Sequence, residues 1–138
     1  MIEFELRKIK YFDAMSEETP CFTAEIWEDG KHVADVKNDG HGGGNMVHGV
    51  NGLKYKDVAK FDNLDVEAEI FGRVWLDYDI KRYQSKGLVL VKDGEVQATV
   101  KFPLAISKFK KHPQFESWID KTSTNMVKKG YEVVNRNL

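Results

Sequence analysis

Two Asp-Gly dipeptides constrain this chain more than any other feature. Glu28-Asp29-Gly30-Lys31 and Lys92-Asp93-Gly94-Glu95 each stand between runs of alternating apolar and polar residues. Asp-Gly supplies the positive φ angles of two-residue hairpin turns, whose backbone must follow the twist of the strands it joins. Each dipeptide therefore predicts a local antiparallel pair. Ahead of the first turn, Phe22, Ala24 and Ile26 face one way, with Thr23, Glu25 and Trp27 on the other face. Ala34 and Val36 carry the apolar face through His32–Lys37. The second turn joins Leu88–Val91 to Val96–Phe102, where Val96, Ala98, Val100 and Phe102 share a face. Ile2, Phe4 and Leu6 alternate with Glu3, Glu5 and Arg7 as a half-buried strand, and Tyr131–Val134 reads as a short last one.

A long helix is expected between the hairpins, capped by Asp62 or Asn63 and running to about Lys86. Leu64, Ala68, Phe71, Trp75 and Tyr78 recur at three- and four-residue spacing as its buried stripe, with Ile70 and Val74 beside them. Acidic residues (Asp65, Glu67, Glu69) open it, and Lys81, Arg82 and Lys86 close it, as the helix dipole favours. Gly87 fits the position just past its end. Leu53–Phe61 is ambiguous, and Leu104–Lys111 reads as one or two helical turns. Pro113 starts a shorter helix with Phe115, Trp118, Ile119 and Met126 on one side. The expected fold is α+β: a mostly antiparallel sheet from the two hairpins and the terminal strands, packed on the long helix and the shorter one. One globular domain over residues 1–138 is expected.

Composition narrows the class. With 41% apolar and 31% charged residues the chain has enough apolar content for a core, unlike a disordered chain. No apolar run approaches the length of a membrane span, and Met1–Phe12 alternates where a leader would be continuously apolar, so the cytoplasm is expected and a membrane is not. The single Cys21 excludes an internal disulfide and reads as a small buried hydrophobe. The net charge of −1 hides an asymmetry: residues 1–100 hold 13 Lys/Arg against 19 Asp/Glu, net −6, and residues 101–138 hold 8 against 3, net +5. Tiles of opposite sign suit a polar partner or a self-complementary homo-oligomer.

The candidate site is the stretch 38–52, NDGHGGGNMVHGVNG, with six of the eleven glycines. Its candidate binding residues are Asn38, His41, Gly42, Gly43, Gly44, Asn45 and His48. A P-loop would follow its last glycine with lysine and a hydroxyl residue, whereas Gly44 is followed by Asn45-Met46. A dinucleotide fingerprint needs spaced glycines opening a helix after a parallel strand, and the preceding hairpin is antiparallel. His41-Gly42-Gly43-Gly44 matches an esterase oxyanion tetrad, but no serine sits in the nucleophile elbow that such an enzyme requires. Two readings stay open: consecutive amides forming a nest for an anion or a partner's carboxylate, or a loop that only lets the backbone pack closely. If the loop is the site, replacing Gly42, Gly43 and Gly44 together by alanine abolishes activity and spares the fold.

Other clusters carry less chemistry. His32, His41 and His48, with Asp35 and Asp39 between, lack any compact ligand spacing, so no metal and no cofactor is expected. Asp77 and Asp79 with Lys81 and Arg82 read as a solvated helix face, and no catalytic residue is assigned. Lys108, Lys110 and Lys111 around Phe109 form a basic and aromatic patch without a nucleic-acid motif, so nucleic acid is open as a partner but not favoured.

The run Ser16-Glu17-Glu18-Thr19-Pro20-Cys21-Phe22-Thr23-Ala24, then Asp29-Gly30-Lys31 and Asn38-Asp39-Gly40-His41-Gly42-Gly43-Gly44, resembles small uncharacterised proteins encoded by bacteriophages. The ending Lys129-Gly130-Tyr131-Glu132-Val133-Val134-Asn135-Arg136-Asn137 does too. The resemblance implies a non-enzymatic binding protein in the cytoplasm of a bacterial host. Such a protein inhibits a defence (anti-CRISPR or other anti-defence) or regulatory system, by binding a host protein complex or sequestering a nucleotide-like signal. An acidic front of Glu67, Glu69, Asp77 and Asp79 could then meet a basic, nucleic-acid-binding host protein. Two alternatives stand beside it: a small enzyme on a phosphorylated or nucleotide substrate with His41 or His48 as acid or base, and a virion-associated or structural oligomeric module.

Overall fold

The computed structural model describes residues 2–136; Asn137, in the tail singled out above, lies outside them. The fold is α+β with two antiparallel sheets, and the chain divides into two compact units, Met1–Trp75 and Leu76–Leu138. The division matches the charge asymmetry. The first unit holds 9 Lys/Arg against 15 Asp/Glu, net −6, and the second 12 against 7, net +5.

The first unit is a four-stranded meander in the order β1-β2-β3-β4: β1 (Glu5–Tyr11), β2 (Cys21–Glu28), β3 (Lys31–Asp39) and β4 (Met46–Gly49). The expected Asp29-Gly30 turn joins β2 to β3, with both residues at positive φ. Strand β4 corrects the reading of 38–52 as one loop, since Met46 and Val47 pair with Lys37 and Val36. One sheet face buries Phe22, Ala24, Ile26, Ala34, Val36 and Val47 against Val58, Phe61, Val66, Ile70 and Val74. The ambiguous Leu53–Phe61 segment supplies Val58 and Phe61 from a short helix α1 (Tyr55–Val58) and a 3-10 turn (Ala59–Phe61). The other sheet face, with Lys10, Thr23, Asp35, Lys37 and His48, stays open.

Helix α2 (Leu64–Tyr83) starts as predicted: the Asn63 side chain accepts the Val66 amide at 3.0 Å, a cap contributing about 1 kcal/mol. Its buried stripe differs from the expected one. Val66, Ile70 and Val74 are buried, whereas Leu64 is 82% exposed and Trp75 48%. Apolar residues occur around much of this helix, so periodicity alone allowed more than one stripe. The compact β-branched line packs on the sheet, and Phe71 flanks it edge-on to Phe22. Gly87 is likewise not a helix terminator. It opens the next strand, where a Cβ would strike the backbone carbonyl of Val100.

In the second unit β5 (Gly87–Lys92) lies between β6 (Glu95–Lys101) and β7 (Glu132–Val133). The central strand is buried on both faces, as its unbroken Leu88–Val91 run requires. Helices α3 (Ile106–Phe109) and α4 (Phe115–Lys128) close a core of Leu88, Phe102, Phe109 and Ile119, with Trp118 edge-on to Phe102 and Phe109. Phe109 is therefore core, which removes the aromatic from the basic patch at Lys108, Lys110 and Lys111. No described helix is long and apolar enough to cross a membrane.

The chain's tail is held by one buried amide. Asn135 accepts the Val89 amide at 2.8 Å and donates to the carbonyls of Gly87 (2.9 Å) and Gln84 (3.3 Å), continuing where the two-residue β7 stops. Removing it leaves buried backbone groups unpaired. Asn135→Ala is expected to destabilise the second unit by roughly 2 kcal/mol in urea unfolding, with amide exchange rising first at Gly87 and Val89.

Candidate functional site

The loop between β3 and β4 is built around the side chain of Asn38, buried at the end of β3. Its Oδ1 accepts the Gly40 amide at 2.9 Å and the Thr19 hydroxyl at 2.7 Å. Its Nδ2 donates to the Gly43 carbonyl at 2.9 Å and to Asn45 Oδ1 at 3.2 Å. Two donors and two lone pairs are thus all used. The orientation follows without ambiguity, since an amide N–H can only donate to Asn38 and a carbonyl can only accept from it.

Three further amides of the loop are engaged by side-chain oxygens. His41 N–H donates to Asp39 at 3.2 Å, Gly42 N–H to the Thr19 hydroxyl at 3.3 Å, and Asn45 N–H to Glu67 at 2.8 Å. An anion nest does form here, on the facing segment. The amides of Glu17, Glu18 and Thr19 converge on the carbonyl of Gly40 at 3.1, 3.0 and 3.4 Å. The loop's own carbonyl fills it.

Two glycines are required by this docking. Gly40 (φ +86°) lies against the Met15 carbonyl and Cys21, where a Cβ has no room, and Gly42 (φ +92°) lies against the Glu18 carboxylate in a backbone conformation that L side chains rarely adopt. Gly44 faces Glu67, while Gly43 has open space around it. Carboxylates of Glu17, Glu18, Asp39 and Glu67 therefore border the loop.

The candidate residues separate into two groups. Asn38, Gly42, Gly43 and Asn45 meet through the bonds above. His41 joins their edge, its Nδ1 3.2 Å from Glu17 with both side chains well exposed. His48 does not join them, because it stands opposite Asp35 on the open sheet face. Thr19, Glu17, Glu18 and Glu67 are the partners that sequence reasoning missed. Hairpin register could have found Thr19: pairing of Cys21 with Asp39 sets the residues just before Cys21 opposite the loop.

Beside the loop lies a concavity of about 500 Å³ whose lining includes Asn45, Met46, His48, Leu53, Tyr55 and Asp62. Met46, Leu53 and Tyr55 are exposed apolar side chains gathered at one place. The Tyr55 hydroxyl donates to Asp62 at 2.6 Å, and that carboxylate raises the Tyr55 pKa above its ordinary value. Asn45 is buried, and its Nδ2 has no partner among the described residues. Most of the expected acidic front on α2 is internally paired: Glu69, Asp77 and Asp79 meet Arg73, Lys81 and Arg82, while Glu67 accepts the Asn45 amide and keeps its charge.

Compared with protein-family models, curated proteins and solved structures, the chain shows no match.

The geometry separates loop variants that the sequence treats alike. Asn38→Ala strips partners from the buried Gly40 amide and is expected to cost about 2–4 kcal/mol. Gly42→Ala forces alanine to positive φ against Glu18 and costs about 1–2 kcal/mol. Gly43→Ala changes stability by under about 0.5 kcal/mol. Urea midpoints of the three variants check this order, and of these three positions Gly43 alone can probe the surface without disturbing the loop.

Proposed function

We propose that this chain acts by occupying a basic protein surface, and that the loop at 38–45 with the adjoining concavity is the part that seats on it. The observation that carries this reading is where the loop's polar groups point. Its amides at Gly40, His41, Gly42 and Asn45 are turned inward, and carboxylates stand around the exposed Gly43. Such a rim favours a lysine- or arginine-rich partner over a phosphate. The concavity adds apolar walls at Met46 and Leu53 and a carboxylate at Asp62, which suit the stem and the head of a basic side chain.

The resemblance to bacteriophage-encoded proteins supplies the biological setting of the proposal: inhibition of a bacterial host's defence or regulatory complex by masking a basic surface. Sequestration of a nucleotide-like signal in the loop is less supported, because the amides of Gly40, His41, Gly42 and Asn45 are engaged and the carboxylates of Glu18 and Glu67 flank Gly43 and Gly44. Acid or base catalysis by His41 is also less supported, since His41 and Glu17 stand in solvent where water is not excluded.

The test uses Gly43. Tagged chain is used to isolate its partner from bacterial lysate, and the purified partner is titrated against variants. Gly43→Ala is expected to bind like the parent. Gly43→Arg and Glu18→Lys are expected to weaken binding tenfold or more with unchanged thermal unfolding, and added salt to weaken the parent. Equal binding by all variants, or an acidic partner surface, overturns the reading. A thermal shift of several degrees with a nucleotide but no protein partner would favour the sequestering alternative, since ligand at about 100 times Kd adds roughly 2.7 kcal/mol.

A further inference from the structure

The open face of the four-stranded sheet carries a second constellation, independent of the loop. Glu25 on β2 lies directly opposite Asp35 on β3, and Asp35 lies directly opposite His48 on β4. His32 reaches the same group from the start of β3. One ligand atom each from Glu25, His32 and Asp35 lies within 4.8 Å of the others. Nε2 of His32 is 2.8 Å from Asp35 and 3.1 Å from the Ala34 carbonyl, a proton donor's position that metal binding at this nitrogen would have to vacate, and Nδ1 is 4.0 Å from Glu25.

A backbone irregularity creates this meeting. His32 and Asp35 are three residues apart and would point to opposite faces of a regular strand. Pairing shifts between Ile26–Ala34 and Trp27–His32, so Val33 is an extra residue in β3, a bulge. The bulge turns His32 onto the face that Asp35 and Glu25 occupy, the re-aiming for which bulges are known. It also sets two carboxylates face to face on neighbouring strands, an arrangement that is destabilising without a cation between them.

The surroundings hold these groups in place. The His32 ring stacks on Trp27, with planes 9° apart and centroids 5.5 Å apart. The Trp27 indole N–H donates to Glu25 Oε1 at 3.1 Å, and the Arg7 guanidinium covers the Trp27 ring at 3.8 Å. The indole hydrogen bond is the main cause that holds the Glu25 carboxyl below the ordinary carboxylate pKa, against an opposing effect of burial. Side chains of Glu25 and His32 are only 19% and 22% exposed, so their geometry is restrained by neighbours. Outer contacts of this kind orient ligands in metal sites.

We propose that Glu25, His32 and Asp35 bind a divalent first-row transition-metal cation on the open sheet face, with His48 able to join as a fourth ligand. One or two imidazole nitrogens with two carboxylates suit zinc, manganese, cobalt or nickel better than calcium or magnesium, which prefer all-oxygen sets. A concavity of about 620 Å³ over the same face is lined by Glu25, Asp35 and His48 and also by Lys8, Lys10 and Lys37, which leaves room for water or an anionic ligand group on the metal. Lys8, 3.6 Å from Glu25 and largely exposed, competes directly for that carboxylate and must swing away.

The test is titration of chelator-treated full-length chain with Mn²⁺ and Zn²⁺, with Mg²⁺ as control. Expected are a rise of several degrees in unfolding temperature with Zn²⁺ and paramagnetic broadening by Mn²⁺ confined to amides near residues 25, 32, 35 and 48. Asp35→Asn, an exposed and nearly isosteric change, is expected to lose both effects and keep the parent's circular dichroism. His32→Ala should lose them too. Broadening centred on His41 and Glu17, an equal response to Mg²⁺, or no response would overturn the proposal and leave the cluster as an imidazole held between two carboxylates. The partner-binding reading stands or falls separately, since no loop variant touches these residues.

Discussion

The side chain of Asn38 is the joint on which the geometry of the candidate loop depends. A chain leaving a strand with several glycines has no side-chain bulk to hold it, and fixing each residue costs about 1–2 kcal/mol of backbone entropy. Here a buried amide with four satisfied valences opposes that cost, tying Gly40, Gly43, Asn45 and Thr19 to one point. The carbonyl of Gly40 completes the lock by entering the three amides of residues 17–19. The glycines serve this docking, since Gly40 passes where a Cβ would strike the neighbouring segment and Gly42 takes a positive φ. A loop that resembles an anion cradle in sequence therefore has most of its polar groups engaged internally and an exposed edge that is acidic.

The same sheet uses a second device at its other end. Regular hairpin pairing from the Asp29-Gly30 turn sets Glu28 opposite Lys31 and Trp27 opposite His32. Continued unchanged, it would set Glu25 opposite Ala34. The extra residue Val33 shifts every later pair by one, so Glu25 meets Asp35, and His32 arrives on their face. One inserted residue thus converts a solvated strand surface into a cluster of two carboxylates and an imidazole. Loop and cluster belong to the same four-stranded meander but use different faces and different chemistry: Asn38 is buried on the core side, and Asp35 stands on the open side.

Local signals were legible where local physics decides. Asp-Gly turns specify hairpins through φ, the Asn63 cap specifies a helix start through one hydrogen bond, and the Leu88–Val91 run specifies a strand covered on both faces. Side-chain partnerships over longer distances were not legible. The stripe of α2 could not be chosen from spacing, because Leu64 and Trp75 fit a helical period as well as Val66 and Ile70 do; the sheet selects the compact line. His41 and His48 stand seven residues apart in one glycine-rich stretch, yet β4 begins between them and sends them to different places.

The amino-acid sequence by itself determined the α+β class, both hairpins, the long helix and the importance of the region around Asn38, because turn chemistry, caps and periodicity act within a few residues. Only the tertiary structure decided which polar groups remain available. That depends on which segments come to lie side by side: Thr19 and Glu67 against the loop, and Glu25 against His32 and Asp35 through a bulge that no local residue preference announces. Satisfaction of hydrogen bonds and pairing of charges are long-range matters, and they turn a glycine-rich stretch into a rigid acidic edge.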